Sequence, residues 1–337
     1  MSFARWLRSR PGRITLPSES LDALVEGILR GESASIAHAL ARVEDSRPQA
    51  LAGQRALLAR LEAETPGAHT VVGLTGAPGV GKSSLASALI RHWLSDGRGV
   101  GMVAVDPTSR RTGGALLGDR ARLRFPPNER VFVRSMATHD QLGGLAPATR
   151  AAVVVLRAAF DWTLVETVGV GQSEVDVETV ANSVVLVLQP GSGDTLQFMK
   201  AGILEIPDVL VVHKWDLGAA AERTRADLES ILAIAAKTSQ GWSPPVLGVS
   251  AQTGEAVAEL AATLREHRAY LDRSKELSRR RQASRVSWAL ELFTLRYGTL
   301  GLERLGGRGA TERLAAEIGG TALDAFSELA TRAGLAS

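Results

Sequence analysis

Apolar positions recur at helical spacing through the first 66 residues: Leu21, Leu24, Val25 and Ile28, then Ile36, Leu40 and Val43, then Leu51, Leu57, Leu58 and Leu61. This pattern predicts an α-helical N-terminal segment, residues 1–66. From about residue 70 the period changes. Short runs rich in β-branched residues, at 71–75, 101–105, 131–134, 163–167, 184–188, 209–212 and 246–249, are separated by mixed stretches long enough to hold helices. Runs apolar on both faces at that spacing predict a doubly wound, mostly parallel α/β domain over residues 67–255, its sheet covered on both sides. Beyond 255 the helical spacing returns. Residues 256–297 read as one or two helices, the glycines at 298, 301, 306, 307 and 309 as a break, and residues 310–334 as one last short helical segment, together a C-terminal extension over 256–337.

Composition narrows the function classes. The chain has 337 residues, 45% hydrophobic and 22% charged, enough for a full-size core. Lys+Arg 39 against Asp+Glu 36 leaves +3, a surplus too small to suggest a nucleic-acid partner. No apolar run approaches the roughly 18 residues of a membrane span, and Arg5, Arg8, Arg10 and Arg13 are followed by no signal-like apolar segment, so neither membrane nor export is expected. The absence of cysteine excludes disulfides, thiolate catalysis and Cys-ligated metal, and a cytoplasmic setting is the simplest reading. The six histidines, at 38, 69, 92, 139, 213 and 267, show no metal-ligand spacing and read as surface or packing residues, His213 excepted. The acids Asp161, Asp176 and Glu178 read as solvated loop charges, and the basic stretch 273–285 as a solvated helix face, with an acidic-partner patch as the alternative. Only five of the basic residues are lysines, at 82, 200, 214, 237 and 275, so a kept lysine points to a need for a compact ammonium.

The chemistry starts at the end of the first predicted strand. Gly76-Ala77-Pro78-Gly79-Val80-Gly81-Lys82-Ser83, followed by Ser84 and an apolar helix, is G-x4-G-K-S in a strand, loop, helix context. Glycines let successive backbone N–H groups turn toward phosphate oxygens, and the helix adds the positive end of its dipole. Lys82 then reaches the terminal phosphates and the Ser83 hydroxyl becomes a ligand of Mg²⁺. After the fourth strand, Glu166-Thr167-Val168-Gly169 stands where such a protein places its metal-sensing acid and its γ-phosphate-sensing glycine. After the sixth, His213-Lys214-Trp215-Asp216 resembles the guanine-reading Asn-Lys-x-Asp motif. The carboxylate of Asp216 would pair with the two donors that guanine has and adenine lacks, and the stem of Lys214 would pack over the base. Ser250-Ala251, after the seventh strand, matches the segment that closes over guanine. Bound GTP or GDP is therefore expected, with GTP hydrolysis.

The segments 103–109, 112–122, Glu166 to Glu174 and 190–194 together resemble the MeaB/ArgK group of P-loop GTPases, over most of residues 70–255. The resemblance implies a chaperone of adenosylcobalamin-dependent acyl-CoA mutases that uses GTP to gate cofactor loading and reactivation, and a homodimer formed through the C-terminal helices. It also implies that Lys82, Ser83 and Ser84 meet phosphate and Mg²⁺ and that Asp106, Asp119 and Glu166 surround the metal. Arg122, Glu174 and Asp194 would lie in switch segments facing the mutase, and Lys200 would stabilise charge on the transferring phosphoryl group. His213 departs from the family's Asn, which bears on the tightness of guanine binding more than on the identity of the base. A metal-inserting GTPase, a P-loop small-molecule kinase and a signal-recognition-type GTPase are the alternatives. The first lacks its His-rich or Cys motif, the second conflicts with 213–216 and 250–251, and the third with a chain of four methionines.

Overall fold

The computed structural model describes residues 20–65, 67, 69–106, 128–137, 147–167, 177–191, 207–235 and 241–335. The N-terminal periodicity becomes three helices, α1 (Leu21–Leu29), α2 (Ser33–Val43) and α3 (Leu51–Glu64). Their apolar stripes, with Leu24, Ile28, Ile36, Leu40 and Leu58 fully or almost fully buried, meet α5 (Pro147–Ala159) in one core over one face of the sheet. On the other face α4 (Lys82–Ser95) and α7 (Val257–Arg273) pack through Leu85, Leu89, Trp93, Leu260 and Leu264. There Trp93 stacks on Trp162 with ring centroids 4.3 Å apart.

The seven expected strands form one sheet: β1 (Thr70–Thr75), β2 (Val100–Asp106), β3 (Val131–Ala137), β4 (Trp162–Glu166), β5 (Ser183–Leu188), β6 (Val209–His213) and β7 (Val246–Val249). Their order is β3-β2-β4-β1-β5-β6-β7, and every neighbouring pair is parallel. β1, β4, β5, β6 and β7 are buried along their whole length, which explains their continuous apolar runs. All carboxyl ends lie on one edge, where an open parallel sheet binds its ligands.

The C-terminal half meets expectation in one place and departs from it in another. The break expected at Gly298 is present: at φ 61°, ψ −156° its backbone leaves the helical region and divides the long segment α8 (Glu276–Arg304) into two helical pieces. The segment expected as one helix is two, α9 (Arg308–Glu317) and α10 (Ala322–Arg332). Between them Gly320 takes φ 80°, and Thr321 with Asp324 forms a capping box that starts α10 afresh. Helices α8 and α10 close a second core around Leu290, Phe293, Phe326 and Leu329. Among the described residues, no helix is long and apolar enough to cross a membrane.

A buried polar knot ties these helices to the amino edge of the sheet. Asp208, just before β6, accepts from the backbone N of Val184 at 2.8 Å and from both Nη atoms of Arg280 of α8 at 2.9 and 2.8 Å. His267 of α7 lies 3.2 Å away through Nε2, with its Nδ1 2.8 Å from the Ser183 hydroxyl. Burial alone would push the Asp208 carboxyl up; the groups of His267 and Arg280 outweigh it and hold the carboxyl below its ordinary range. The 273–285 stretch is thus no uniform solvated face: Arg279 is exposed, whereas Arg280, Arg281 and Arg285 turn toward the protein. Asp161 likewise accepts from the backbone N of Gly99 at 2.9 Å, at the amino edge ahead of β4 and away from the switch.

Candidate active site

The phosphate-binding sequence forms the turn between β1 and α4. Gly76 and Gly81 adopt φ 138° and 103°, which side-chain-bearing residues rarely take. Space forbids a side chain as well. A Cβ on Gly76 would stand 2.2 Å from the carbonyl oxygen of Val187, and one on Gly81 would stand 2.4 Å from Nδ1 of His213. Lys82, buried in the first turn of α4, folds back over the loop and donates to the carbonyl oxygens of Gly76 at 2.6 Å and Ala77 at 3.1 Å. Beside it, the backbone N–H groups of Ser83 and Ser84 belong to a first turn that has no intrahelical acceptors for them.

Glu166 ends β4, paired in register with Leu74 of β1, and this adjacency carries its buried carboxylate to the first turn of α4. The Ser83 hydroxyl donates to Glu166 Oε1 at 2.6 Å. A hydroxyl and a carboxylate in contact are two hard oxygen donors, the set that Mg²⁺ prefers. Among the described residues there is no group of three or more His, Cys, Asp or Glu that could hold a metal by themselves. Asp106 is the last residue of β2 on the same edge. The side chain of Asp106, and Asp119, Arg122, Gly169, Glu174, Asp194 and Lys200, lie outside the described residues.

The base-reading residues converge from β6 and β7. His213, the last residue of β6, is buried with Nδ1 2.9 Å from the carbonyl oxygen of Val80 and with Nε2 3.4 Å from the backbone N of Ala251. A carbonyl only accepts and an N–H only donates. Nδ1 therefore carries the proton, Nε2 offers its lone pair, and the ring bridges the phosphate loop and the 250–251 loop as a neutral imidazole. Burial pushes the His213 pKa down, and the nearby Lys214 charge adds to it against the Val80 hydrogen bond and Asp216. Lys214, at φ 57°, reaches back to donate to Gln189 Oε1 at 2.8 Å and, more weakly, to the carbonyl oxygen of Gly79 at 3.4 Å. Asp216 is exposed and accepts from the Ser250 hydroxyl at 2.6 Å, a bond that holds the carboxyl below its ordinary range. Between them Trp215 lies on Gly248, where a Cβ would come within 2.2 Å of the indole. Thus Gly76 to Ser84, Glu166, His213, Lys214, Asp216, Ser250 and Ala251 stand at one edge of the sheet. Two participants had no clear sequence signal: Gln189, whose one cue is its place before Pro190-Gly191, and the Val80 carbonyl, a backbone atom that no motif names.

Comparison with known proteins decides the family. The family described as "Methylmalonyl Co-A mutase-associated GTPase MeaB" matches residues 36–297. The chain belongs to the MeaB family of GTPases. A protein of Mycobacterium tuberculosis described as "Probable GTPase" is 40% identical over 278 residues, 81% of this chain and 82% of that protein. The mitochondrial methylmalonic aciduria type A homolog of Mus musculus is 34% identical over 286 residues, 81% of this chain and 69% of that protein. Among solved structures, that of an LAO/AO transport system kinase superposes with a TM-score of 0.69 at 25% identity, covering 96% of this chain and 95% of its own. MeaB membership makes the enzyme a GTPase and its nucleotides GTP and GDP. α1, the start of α2, the end of α8, α9 and α10 fall outside the matched span.

Proposed function

We propose that this GTPase is a chaperone of an adenosylcobalamin-dependent acyl-CoA mutase of the methylmalonyl-CoA, isobutyryl-CoA or 2-hydroxyisobutyryl-CoA type, gating the loading of adenosylcobalamin and the mutase's reactivation. The observation that carries the reading is the meeting of a phosphate loop, Ser83–Glu166 and Asp216–Ser250 on one sheet edge in a chain of the mutase-associated family. The mouse relative, named for methylmalonic aciduria, supports the same direction.

In this reading the N–H groups of residues 76–84 cradle the phosphates, and Lys82 exchanges its two carbonyl acceptors for phosphate oxygens. Asp216 accepts from the two guanine donors while Ser250 fixes its carboxylate. Ser83, with Glu166 and the expected Asp106 and Asp119, would hold Mg²⁺, which neutralises phosphate charge when bound. Glu166 keeps the Ser83 hydroxyl oriented, and Lys200 is assigned to the charge of the transferring phosphoryl group. Arg122, Glu174 and Asp194 face the mutase. The chain works in the cytoplasm as a homodimer joined through its C-terminal helices.

The test is single-turnover GTP hydrolysis with and without purified candidate mutases, together with adenosylcobalamin transfer into the apo-mutase. Unassisted hydrolysis near 10⁻⁴ s⁻¹, on the order of other GTPases without a partner, should rise with the cognate mutase. The rise should be lost in Asp194→Ala while GDP affinity is kept. If no adenosylcobalamin-dependent mutase changes the rate, the chaperone reading fails and the GTPase stands alone.

A further inference from the structure

At the amino edge of the sheet a cavity of about 370 Å³ opens between α3, α5, the residues leading into β5, and α8. Its size falls within the roughly 300–1,000 Å³ range of small-molecule sites. It lies at the opposite end of β1 from the phosphate loop, roughly 20 Å away at about 3.3 Å per strand residue. Five arginines line it, Arg150, Arg157, Arg280, Arg281 and Arg285, against a single carboxylate, Glu62.

Three of these guanidiniums have a protein counter-charge: Arg150 with Glu291 at 3.0 Å, Arg157 with Glu62 at 3.1 Å and Arg280 with Asp208 at 2.8 Å. The remaining two form no ion pair among the described residues, although Glu62 lies near enough to act on both. Arg285 spends its polar contacts on Gln282 and the carbonyl oxygens of Ala315 and Ala316, and its Nη1 is buried without an acceptor. Arg281 makes no ion pair or hydrogen bond among the described residues, and its Nε is buried and unmet. Nε of Arg157 and Nε1 of Trp288 complete a set of buried donors lacking acceptors around the same space. Proteins seldom leave buried donors unmet, and water, which relieves them one at a time, supplies no negative charge. Burial first, then Arg157 and Arg268 close by, outweigh the carboxylates of Asp272 and Glu62 and push the Arg281 pKa down to about 10.

We propose that this cavity binds a small organic phosphate, its oxyanion held by the planar fork of Arg281 and the unmet Nη1 of Arg285 and its carbon skeleton against Trp288. A guanidinium fork matches phosphate bidentately, which a lysine would not, and the chain's general preference for arginine is concentrated here. The site is separate from the guanine nucleotide site and does not depend on which mutase, if any, the chain serves.

The experiment uses the full chain saturated with GDP and Mg²⁺, so that the phosphate loop is filled. Fructose 1,6-bisphosphate, phenyl phosphate and a hexaglutamate peptide are titrated calorimetrically into wild type, Arg281→Gln and Arg279→Gln. Arg279 is the exposed neighbour, so its variant carries the same charge change without lining the cavity. The expected result is saturable binding of at least one of the two phosphates, one per chain and tighter than the peptide, weakened tenfold or more in Arg281→Gln and unchanged in Arg279→Gln. Retained GDP affinity certifies that the variant is folded. Should Arg281→Gln not fold, Arg281→Lys keeps the charge, loses the fork and is expected to bind severalfold more weakly than wild type. No saturable binding of either phosphate overturns the proposal, as does equal weakening in Arg279→Gln, the mark of a diffuse field. Tighter binding of hexaglutamate overturns it in favour of an acidic protein segment.

Discussion

The two ends of the sheet handle polar atoms in opposite ways. At the carboxyl edge Lys82 and His213 bond backbone atoms of the loops they cross and Lys214 the Gln189 side chain, and the cations of Lys82 and Lys214 face groups that an arriving phosphate or base can replace. At the amino edge Asp208, Arg280, His267 and Ser183 satisfy one another, and the result is a clasp between the sheet, α7 and α8. The difference teaches that burial of charge is no guide to function by itself. Asp208 is as buried as Glu166, yet one is enclosed by side chains that complete it and the other faces a loop built for a ligand.

The comparison is open to breaking, beginning with the clasp. Asp208→Asn leaves the Arg280 cation in partly buried surroundings without its counter-charge, and the loss expected is about 3–5 kcal/mol of unfolding free energy by urea denaturation. GDP affinity of the folded variant should not change, since the clasp is at the far edge. The pH dependence follows from the lowered carboxyl: Asp208 stabilises the fold above the ordinary value of 3.8, and that stability is lost as pH falls through it toward the lower folded value. A variant as stable at pH 7 as wild type would mean the clasp is ornamental.

Lys82→Ala removes the charge at the other edge, and GTP turnover should fall on the order of 10²–10³-fold, the usual scale for a lost group that stabilises developing charge. Its thermal midpoint should move little, because the carbonyls of Gly76 and Ala77 that Lys82 bonds belong to the loop and not to the core. Next in size is Asp216→Asn. Replacing the carboxylate weakens a charged hydrogen-bonding pair, and the preference for GDP over ADP is expected to drop by about 1.5–3 kcal/mol in competition titrations.

The smallest effect sharpens the contrast most. Protonated His213 can no longer accept from Ala251, so the tie between the two loops holds at the ordinary 6.5 and weakens only as pH falls through the lower folded value. GDP affinity should hold above the ordinary 6.5 and decline severalfold at lower pH in wild type, and stay flat in His213→Asn, whose amide does not titrate. An equally steep profile in the variant would assign the decline to another group.

Much of this was legible in the residues. All seven strands fall at the places where β-branched runs lie, and in those buried along their whole length the reason is that both faces are covered and leave little room for polar positions. Gly76 to Ser84, Glu166 and 213–216 were readable since each is a fixed spacing next to a strand end. What the sequence could not show is contact between atoms distant in the chain. Ser83 meeting Glu166, Val80 meeting His213, and Asp208 meeting both His267 and Arg280 depend on strand order and helix docking. The C-terminal helices were legible only in part, for a local reason. The break at Gly298 was readable because glycine marks a positive φ, whereas the one before the last helix, set by Gly320 and the Thr321–Asp324 box, lies inside a helical pattern that hides it.

The placement of Trp215 has a practical reach. It sits between Lys214 and Asp216, flat on Gly248, with the Arg225 guanidinium 6.0 Å from its ring centre. Trp288 stands in the wall of the arginine-lined cavity at the other edge. Trp93 and Trp162 are stacked on each other, and Trp242 lies 4.7 Å from the His267 ring. The chain therefore carries its own optical probes. Quenching of Trp215 emission reports occupancy of the guanine loop and quenching of Trp288 reports the cavity, so single Trp→Phe replacements at 215 and 288 let one fluorimeter follow the two ends separately without any attached dye.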